Sequence, residues 1–409
     1  MHEVPPTAGL PLRVADLFAR RAAPFEKSLA SFLDVAAVQI ECSGTASLIV
    51  TLSALKRGSD RRQVVVPAYT CPLVALAIHH CGLQSVLCDV RAAHFELDPV
   101  QLARVCNENT LAVIATHLGG RVADLAPVLG IAQQAGAYVV EDAAQSLGAT
   151  LNNQAVGMIG DAGFYSLAVG KGLTLFEGGV LLAREENVRA QLRKTSDETI
   201  PARVVWEYRR SLELLAYAGL YRPALLRLAY GWPLRRALQK GRLIEAVGDD
   251  FALEIPLHRV GHWRRQVGAH ALRRLPRFLE TLRVQALRRI QRLEAIPGLT
   301  LLDDAANGRG VWPFLMVLMP SEAKRDTALR SLWPAGYGVS RLFIHALPDY
   351  PYLSGKFSQT DVPNARDFAA RLLTISNSPW LGDAEFEHIC ETLAQCVAGV
   401  TPARRAVAG

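Results

Sequence analysis

Between residues 40 and 183, short apolar runs alternate with stretches whose apolar positions recur at helical spacing, and that alternation leaves few folds open. VVV (64–66), SVLCDV (85–90), LAVIAT (111–116), AYVVED (137–142) and GVLLA (179–183) read as strands. Between them, TCPLVALAIHHCG, DPVQLARVC and DLAPVLGIAQQAG read as helices. Such a chain forms a largely parallel sheet covered on both faces, with ligands outside the carboxyl ends of its strands. Asp89, Thr116, His117 and Asp142 all fall at such ends, so a single site is expected there.

Two segments give that site a chemistry. VVEDAAQSLGA (139–149) delivers Asp142 to the end of an apolar run, and GDAGFYSLAVGKGLTLFEGGVLLA (160–183) carries a glycine-flanked Lys171 in a polar loop before a Gly-Gly pair. An aldehyde cofactor needs an amine that can form a Schiff base and then move protons between carbon centres, which is the work of a lysine. A pyridine ring acts as an electron sink only while its nitrogen is protonated, which calls for a carboxylate such as Asp142. A phosphate tail needs backbone N–H groups at a helix start together with hydroxyls. SGTASLIVTLSAL (43–55) opens an apolar helix with small residues, and Ser43, Thr45 and Ser166 are the hydroxyls assigned to the phosphate. The expected cofactor is pyridoxal 5'-phosphate.

With 409 residues, half of them apolar, the chain can bury a large core in two or three domains. No segment has the charge-free apolar core of a signal peptide. The seven cysteines, at 42, 71, 81, 88, 106, 390 and 396, form no CxxC pair and read as reduced thiols of a cytoplasmic protein. No metal site is expected, because His79-His80 lacks a third ligand at metal spacing and reads as helix surface. Net charge is +7, with 18 Lys+Arg against 7 Asp+Glu between 201 and 290. That basic segment carries no nucleic-acid motif and reads as the solvent faces of helices, so no nucleic acid is expected as a partner.

The divisions expected are an N-terminal arm and helix (1–39), a large cofactor-binding α/β domain (40–184), a Leu/Arg-rich helical insert (185–260), and a long linking helix with a small C-terminal α+β domain (261–409). The insert includes VVWEYRRSLELLAYAGLYRPALLRLAYGWPLRRAL, which Arg222, Pro223 and Arg227 interrupt before it reaches the ~18 apolar residues of a membrane span. It reads as a dimer contact or a lid over the site, and 205–240 as the place for any peripheral membrane contact. A basic helix is expected over 262–294.

At these residues the chain resembles the DegT/DnrJ/EryC1/StrS family of pyridoxal phosphate-dependent sugar aminotransferases, most strongly over 40–183. The resemblance is carried by SGTAS, VVVPAYTCPLVALAI, VLCDVRAAHFELD, the turn Thr116-His117-Leu118-Gly119-Gly120, Glu141 to Ala149, Ser166 with Lys171 and FEGG, and GVSRLFIHALPDYPYL. It implies an α/β aspartate-aminotransferase-like large domain (PLP fold type I) with a mainly parallel sheet, a small α+β C-terminal domain, and a homodimer with sites at its interface. It further implies that Lys171 holds the cofactor and shuttles the proton, Asp142 pairs with the pyridinium and Gln145 faces the ring hydroxyl. Ser43, Gly44, Thr45, Ala46 and Ser166 would hold the phosphate, with Tyr69, Cys71 and His117 around the ring.

The family pattern is broken in four places. Cys71 stands where an aromatic often stacks on the ring, with Tyr69 as the compensating residue. SLAVGK replaces the usual residues before the lysine. Leu257-His258-Arg259 stands where an Asn-Tyr-Arg motif reaches the neighbouring subunit's phosphate. The insert adds some tens of residues.

The implied reaction moves an amino group, commonly from glutamate, to a keto group of a nucleotide-linked sugar for polysaccharide or glycoside biosynthesis. The alternatives are a non-sugar keto substrate, a dehydration, or a non-catalytic scaffold or regulatory family member associated with polysaccharide assembly. Deoxygenating relatives carry histidine in place of the lysine, so Lys171 favours transamination. Taken without the resemblance, His117 reads equally as a satisfied core imidazole, His345 and Tyr350 share that ambiguity, and Asp89 reads as a cap.

Overall fold

The computed structural model describes residues 3–18 and 23–400. Positions 1–2 and 19–22 of the expected N-terminal division and 401–409 of the C-terminal one lie outside the described residues. The strands of the first half are β1 (Gln39–Glu41), β2 (Gln63–Pro67), β3 (Gln84–Cys88), β4 (Thr110–Thr116), β5 (Tyr138–Asp142), β6 (Thr150–Leu151), β7 (Gln154–Ala155), β8 (Ala162–Ser166) and β9 (Gly179–Ala183). The second half adds β10 (Thr300–Leu301), β11 (Gly308–Arg309), β12 (Phe314–Leu318), β13 (Val339–Ser340) and β14 (Leu372–Ser376).

Seven strands form the large sheet in the order β1-β9-β8-β5-β4-β2-β3. Neighbours from β3 to β8 are parallel, as the alternation predicts, because a helix returns the chain between most of them. All seven residues of β4 are buried, which is why such strands read as continuous apolar runs rather than as alternating ones. The aspartate-aminotransferase-like α/β class expected from the sequence is therefore the observed one.

Three elements differ from the sequence-based expectation. AGFYS forms a strand, β8, that is not among those expected from the sequence: Gly163 dilutes its apolar pattern, and a Cβ there would sit 2.4 Å from the Gly157 Cα. GVLLA is antiparallel to β8 because the Lys171 loop, not a crossover helix, joins the two. The 262–294 stretch is two helices, His262–Leu272 and Leu275–Glu294; Pro276 has no N–H to continue the first.

The small domain is a four-stranded antiparallel sheet, β10-β12-β14-β13, backed by the helices Glu322–Leu332 and Asp383–Val397. Leu315, Val317, Leu373, Ile375 and Leu393 fill its core, and Val4 of the N-terminal arm packs there too. β6, β7 and β11 form a separate ribbon.

The insert folds as helices Val204–Leu220, Pro223–Leu226, Trp232–Gln239 and Leu243–Val247, with a π-helical turn at Arg227–Gly231. Arg264 pairs with Glu207, and Arg210 with Glu177 and Glu213, which clamps the 204–220 helix to the large domain. Its inner face buries Leu214 and Tyr217. Its outer face exposes Val205, Tyr208, Leu212 and Leu215 at three- and four-residue spacing.

Candidate active site

A cavity of about 860 Å³ opens at the carboxyl ends of the parallel strands, between the large sheet, the small domain and the insert. Ser43, Gly44, Thr45, Cys71, His117, Asp142, Gln145, Ser166 and Lys171 all line it. They arrive from five places in the chain, delivered by the ends of β1, β2, β4, β5 and β8.

The phosphate-binding expectation rests on the helix Gly44–Lys56. Ser43 caps it, its Oγ accepting the Ala46 N–H at 3.0 Å, and the Ser47 N–H donates to the Ser43 carbonyl. The first two N–H groups, of Gly44 and Thr45, have no acceptor among the described residues and stand at the cavity with the hydroxyls of Ser43, Thr45 and Ser166. Gly179 permits this placement: a Cβ there would lie 2.2 Å from the Ser43 carbonyl oxygen and 2.6 Å from the Ser47 Oγ. The Gly-Gly of FEGG is thus a close approach of β9 to the helix start.

Lys171 sits in a tight loop held by its own N–H to the Ala168 carbonyl. Gly170 before it has φ +79°, a left-handed conformation, with Thr7 of the N-terminal arm against it. Among the described residues no hydrogen-bond or ion-pair partner meets the Lys171 Nζ. Burial pushes its pKa down, against the opposing pull of Cys71, Asp142 and Asp249. Asp142 accepts the Ala144 N–H on Oδ1 at 3.1 Å and has Oδ2 without a partner among the described residues. Burial raises its pKa, outweighing the Ala144 bond and the charges of Lys171 and His117. Gln145 Oε1 accepts the Gly119 N–H at 2.7 Å, which turns its amide NH₂ free to donate.

Three expected residues stand differently. Tyr69 is not in the cavity wall: its hydroxyl bonds to the Phe343 backbone at 3.2 Å and its ring packs edge-on against Phe343 and Phe368, so it cannot compensate for the aromatic missing at Cys71. Ala46 is buried and its N–H is taken by Ser43, which leaves it nothing to offer a phosphate. His117 borders the cavity, yet its Nδ1 accepts the Ala123 N–H at 3.1 Å and its Nε2 lies 3.0 Å from Glu141 Oε2. Both nitrogens are occupied, so only the imidazole face is available to a ligand.

Other residues resolve as structural. Asp89 accepts the N–H groups of Asn364 and Ala365 and caps the helix Pro363–Arg371. Arg259 is outside the cavity, bonded to the Ile200 carbonyl at 3.2 Å and Asp197 Oδ1 at 3.1 Å. His258 beside it is buried, and burial together with Arg264 pushes its pKa down to about 4. Tyr350 is buried and donates to Asp249 at 2.6 Å; His345 packs edge-on against its ring.

The sequence reading missed the far wall. Tyr217, Tyr230, Asp249 and Phe251 of the insert and Arg341 of the small domain all face the cavity. Nothing local in the sequence marks them, since their place depends on how the insert docks.

The donor set fits a phosphorylated pyridine aldehyde: among the described residues, a lysine amine, a carboxylate oxygen and two N–H groups at a helix start have no partner, and three hydroxyls share the cavity with them. Comparison with known proteins agrees. The family described as the DegT/DnrJ/EryC1/StrS aminotransferase family matches residues 17–213 and 262–394. The spore coat polysaccharide biosynthesis protein SpsC of Bacillus subtilis is 27% identical over 384 residues, 92% of this chain and 89% of that protein. The dTDP-4-dehydro-2,3,6-trideoxy-D-glucose 4-aminotransferase of Saccharopolyspora spinosa is 25% identical over 387 residues, again 92% and 89%. The crystal structure of the aminotransferase TlmJ from Streptoalloteichus hindustanus superposes with a TM-score of 0.69 at 24% identity, covering 92% of this chain and 91% of that one. The gap in the family match, 214–261, coincides with most of the insert.

Proposed function

We propose, from the premise that this chain belongs to the DegT/DnrJ/EryC1/StrS family of pyridoxal phosphate-dependent aminotransferases, that it moves an amino group from glutamate to a keto group of a nucleotide-linked sugar. The relatives' names support a sugar as acceptor: one serves spore coat polysaccharide biosynthesis and another is a dTDP-sugar 4-aminotransferase. The observation that carries the reading is Lys171, an amine without a partner among the described residues and with a lowered pKa, in a cavity that also holds Asp142 and the open start of the 44–56 helix.

The bound cofactor would supply an aldehyde that links to amines and a ring that takes up the electron pair left at the donor carbon. Lys171 supplies the amine that holds it, and its lowered pKa keeps a larger neutral fraction at neutral pH, ready to accept a proton at Nζ and return it to the neighbouring carbon. Asp142 would pair with the protonated ring nitrogen, and that cation would offset the cost of burying the carboxylate. Gly44 and Thr45 would hold the phosphate through their N–H groups, joined by the hydroxyls of Ser43, Thr45 and Ser166. Gln145 donates to the ring hydroxyl. The insert covers the cavity and excludes water from the proton transfer.

The protein works in the cytoplasm as a homodimer. Its seven free cysteines support the first. The exposed apolar stripe Val205-Tyr208-Leu212-Leu215 supports the second, as a face to be covered. A peripheral membrane contact through the insert is the second reading, favoured by the exposed Leu228 and Trp232 beside Arg227 and Arg236. Sedimentation velocity with and without anionic vesicles separates the two. The activity is tested by transfer of ¹⁵N from labelled glutamate to nucleotide-linked keto sugars, followed by mass spectrometry; deamination of glutamate with no labelled sugar contradicts the assigned acceptor.

A further inference from the structure

We propose that Asp249, presented by the insert, is a specificity-determining residue for the acceptor, its free carboxylate oxygen taking a hydrogen bond from a hydroxyl of the keto sugar. The inference rests on the aminotransferase reading above and names the part of the cavity that meets the sugar.

Asp249 is 3% exposed and lines the cavity. One side of it is fixed: Oδ2 accepts the Tyr350 hydroxyl at 2.6 Å and the Ile344 N–H at 3.1 Å, and its backbone carbonyl accepts the Tyr352 hydroxyl at 2.6 Å. These bonds tie the end of the insert to the small domain and set the carboxylate's orientation. Oδ1 has no partner among the described residues.

The other acids of the cavity are already committed. Glu177 and Glu213 pair with Arg210, and Asp142 stands at the end of β5. No Lys or Arg pairs with Asp249 among the described residues; Arg341, in the same wall, gives its Nη2 to the carbonyls of Ile344 (2.7 Å) and Ala369 (3.0 Å). An ionised carboxylate is an acceptor only, and a buried one needs donors. Glutamate, with two carboxylates of its own, is repelled by it. The neutral sugar ring of the nucleotide-linked acceptor is the group that satisfies it, through a short charge-assisted O–H···O⁻ bond from a ring hydroxyl. Asp249 therefore favours the acceptor over the donor in a cavity both must use in turn.

The test compares wild type with Asp249→Asn on dTDP-, UDP- and GDP-linked 4-keto-6-deoxyhexoses, alongside the half-reaction with glutamate alone. Asparagine keeps an oxygen for Tyr350 and Ile344 and turns an NH₂ to the cavity, replacing an acceptor by a donor. On the sugar that wild type aminates, the acceptor KM of the variant rises about tenfold to a hundredfold, while the glutamate half-reaction changes far less. An unchanged acceptor KM, or a loss shared equally by the glutamate half-reaction, overturns the proposal. A wild type that reacts with glutamate but aminates none of the three overturns the sugar reading itself, a separate failure. Should Asp249→Asn not fold, Tyr350→Phe loosens the carboxylate instead: a smaller rise in the same KM supports the proposal and no rise overturns it.

Discussion

His117, at the border of the cavity, and Glu141 form a buried pair, Nε2 to Oε2 at 3.0 Å. The same carboxylate accepts the backbone N–H groups of Gly157 (2.6 Å), Ile159 (2.6 Å) and Gly160 (2.7 Å). Its neighbour in sequence, Asp142, points the other way across the strand and meets the cavity. Adjacent acids on one strand thus divide the labour: one holds the 157–160 turn and the imidazole, the other faces the ligand.

Glu141→Ala leaves three buried N–H groups and the imidazole without an acceptor. The expected cost is about 3–5 kcal/mol, measured by urea unfolding. A loss under about 1 kcal/mol contradicts this assignment.

Gly179→Ala places a Cβ 2.2 Å from the Ser43 carbonyl, a backbone atom that cannot swing aside. The helix start must retreat, so the cofactor's dissociation constant rises more than about tenfold, as read by fluorescence titration. Ser43→Ala is milder, costing roughly 1 kcal/mol of stability through the lost cap. Equal cofactor affinity in wild type and Gly179→Ala sinks the assigned phosphate site.

Cys71, at the position of the missing ring aromatic, has its thiol pushed up to about 12 by burial. Near pH 7.5 fewer than roughly one molecule in ten thousand carries the reactive thiolate. Iodoacetamide at that pH is expected to leave Cys71 unmodified by peptide mass mapping over hours, although it borders the cavity. Rapid labelling at Cys71 contradicts a thiol held up by burial.

Asp249 has its pKa raised from 3.8 to about 6, by burial more than its hydrogen bonds lower it. A raised carboxyl pKa favours the protonated fold, so its contribution is complete below 3.8 and lost as pH climbs through about 6. Asp249→Asn does not titrate. The stability of wild type relative to that variant should therefore fall by up to about 3 kcal/mol between about pH 4 and about pH 7. A difference that is flat or rises with pH contradicts the burial of this group.

Much of the large domain was legible in the sequence because buried parallel strands demand unbroken apolar runs, as in LAVIAT, and the helices between them have their own period. That Asp142, Lys171, Ser166 and the SGTAS start meet in one cavity was legible for a related reason: local chain features, a strand end or a helix start, place them. Tyr69 misled because its neighbours in sequence do not show that Phe343 and Phe368 enclose it. β8 was hidden by Gly163, whose reason for being glycine is the distant Gly157. Asp249 gave no signal, since it reaches the cavity only through the docking of the insert on Tyr350 and Tyr352.

Everything proposed here depends on Lys171 carrying the cofactor, with Asp142 and the 44–56 helix start holding it. The most direct test is the visible absorption spectrum of the protein with pyridoxal phosphate, before and after glutamate, for wild type and Lys171→Ala. The account predicts a yellow band in wild type that glutamate bleaches, and none in the variant; a wild type without that band, or a variant that forms it equally well, contradicts it.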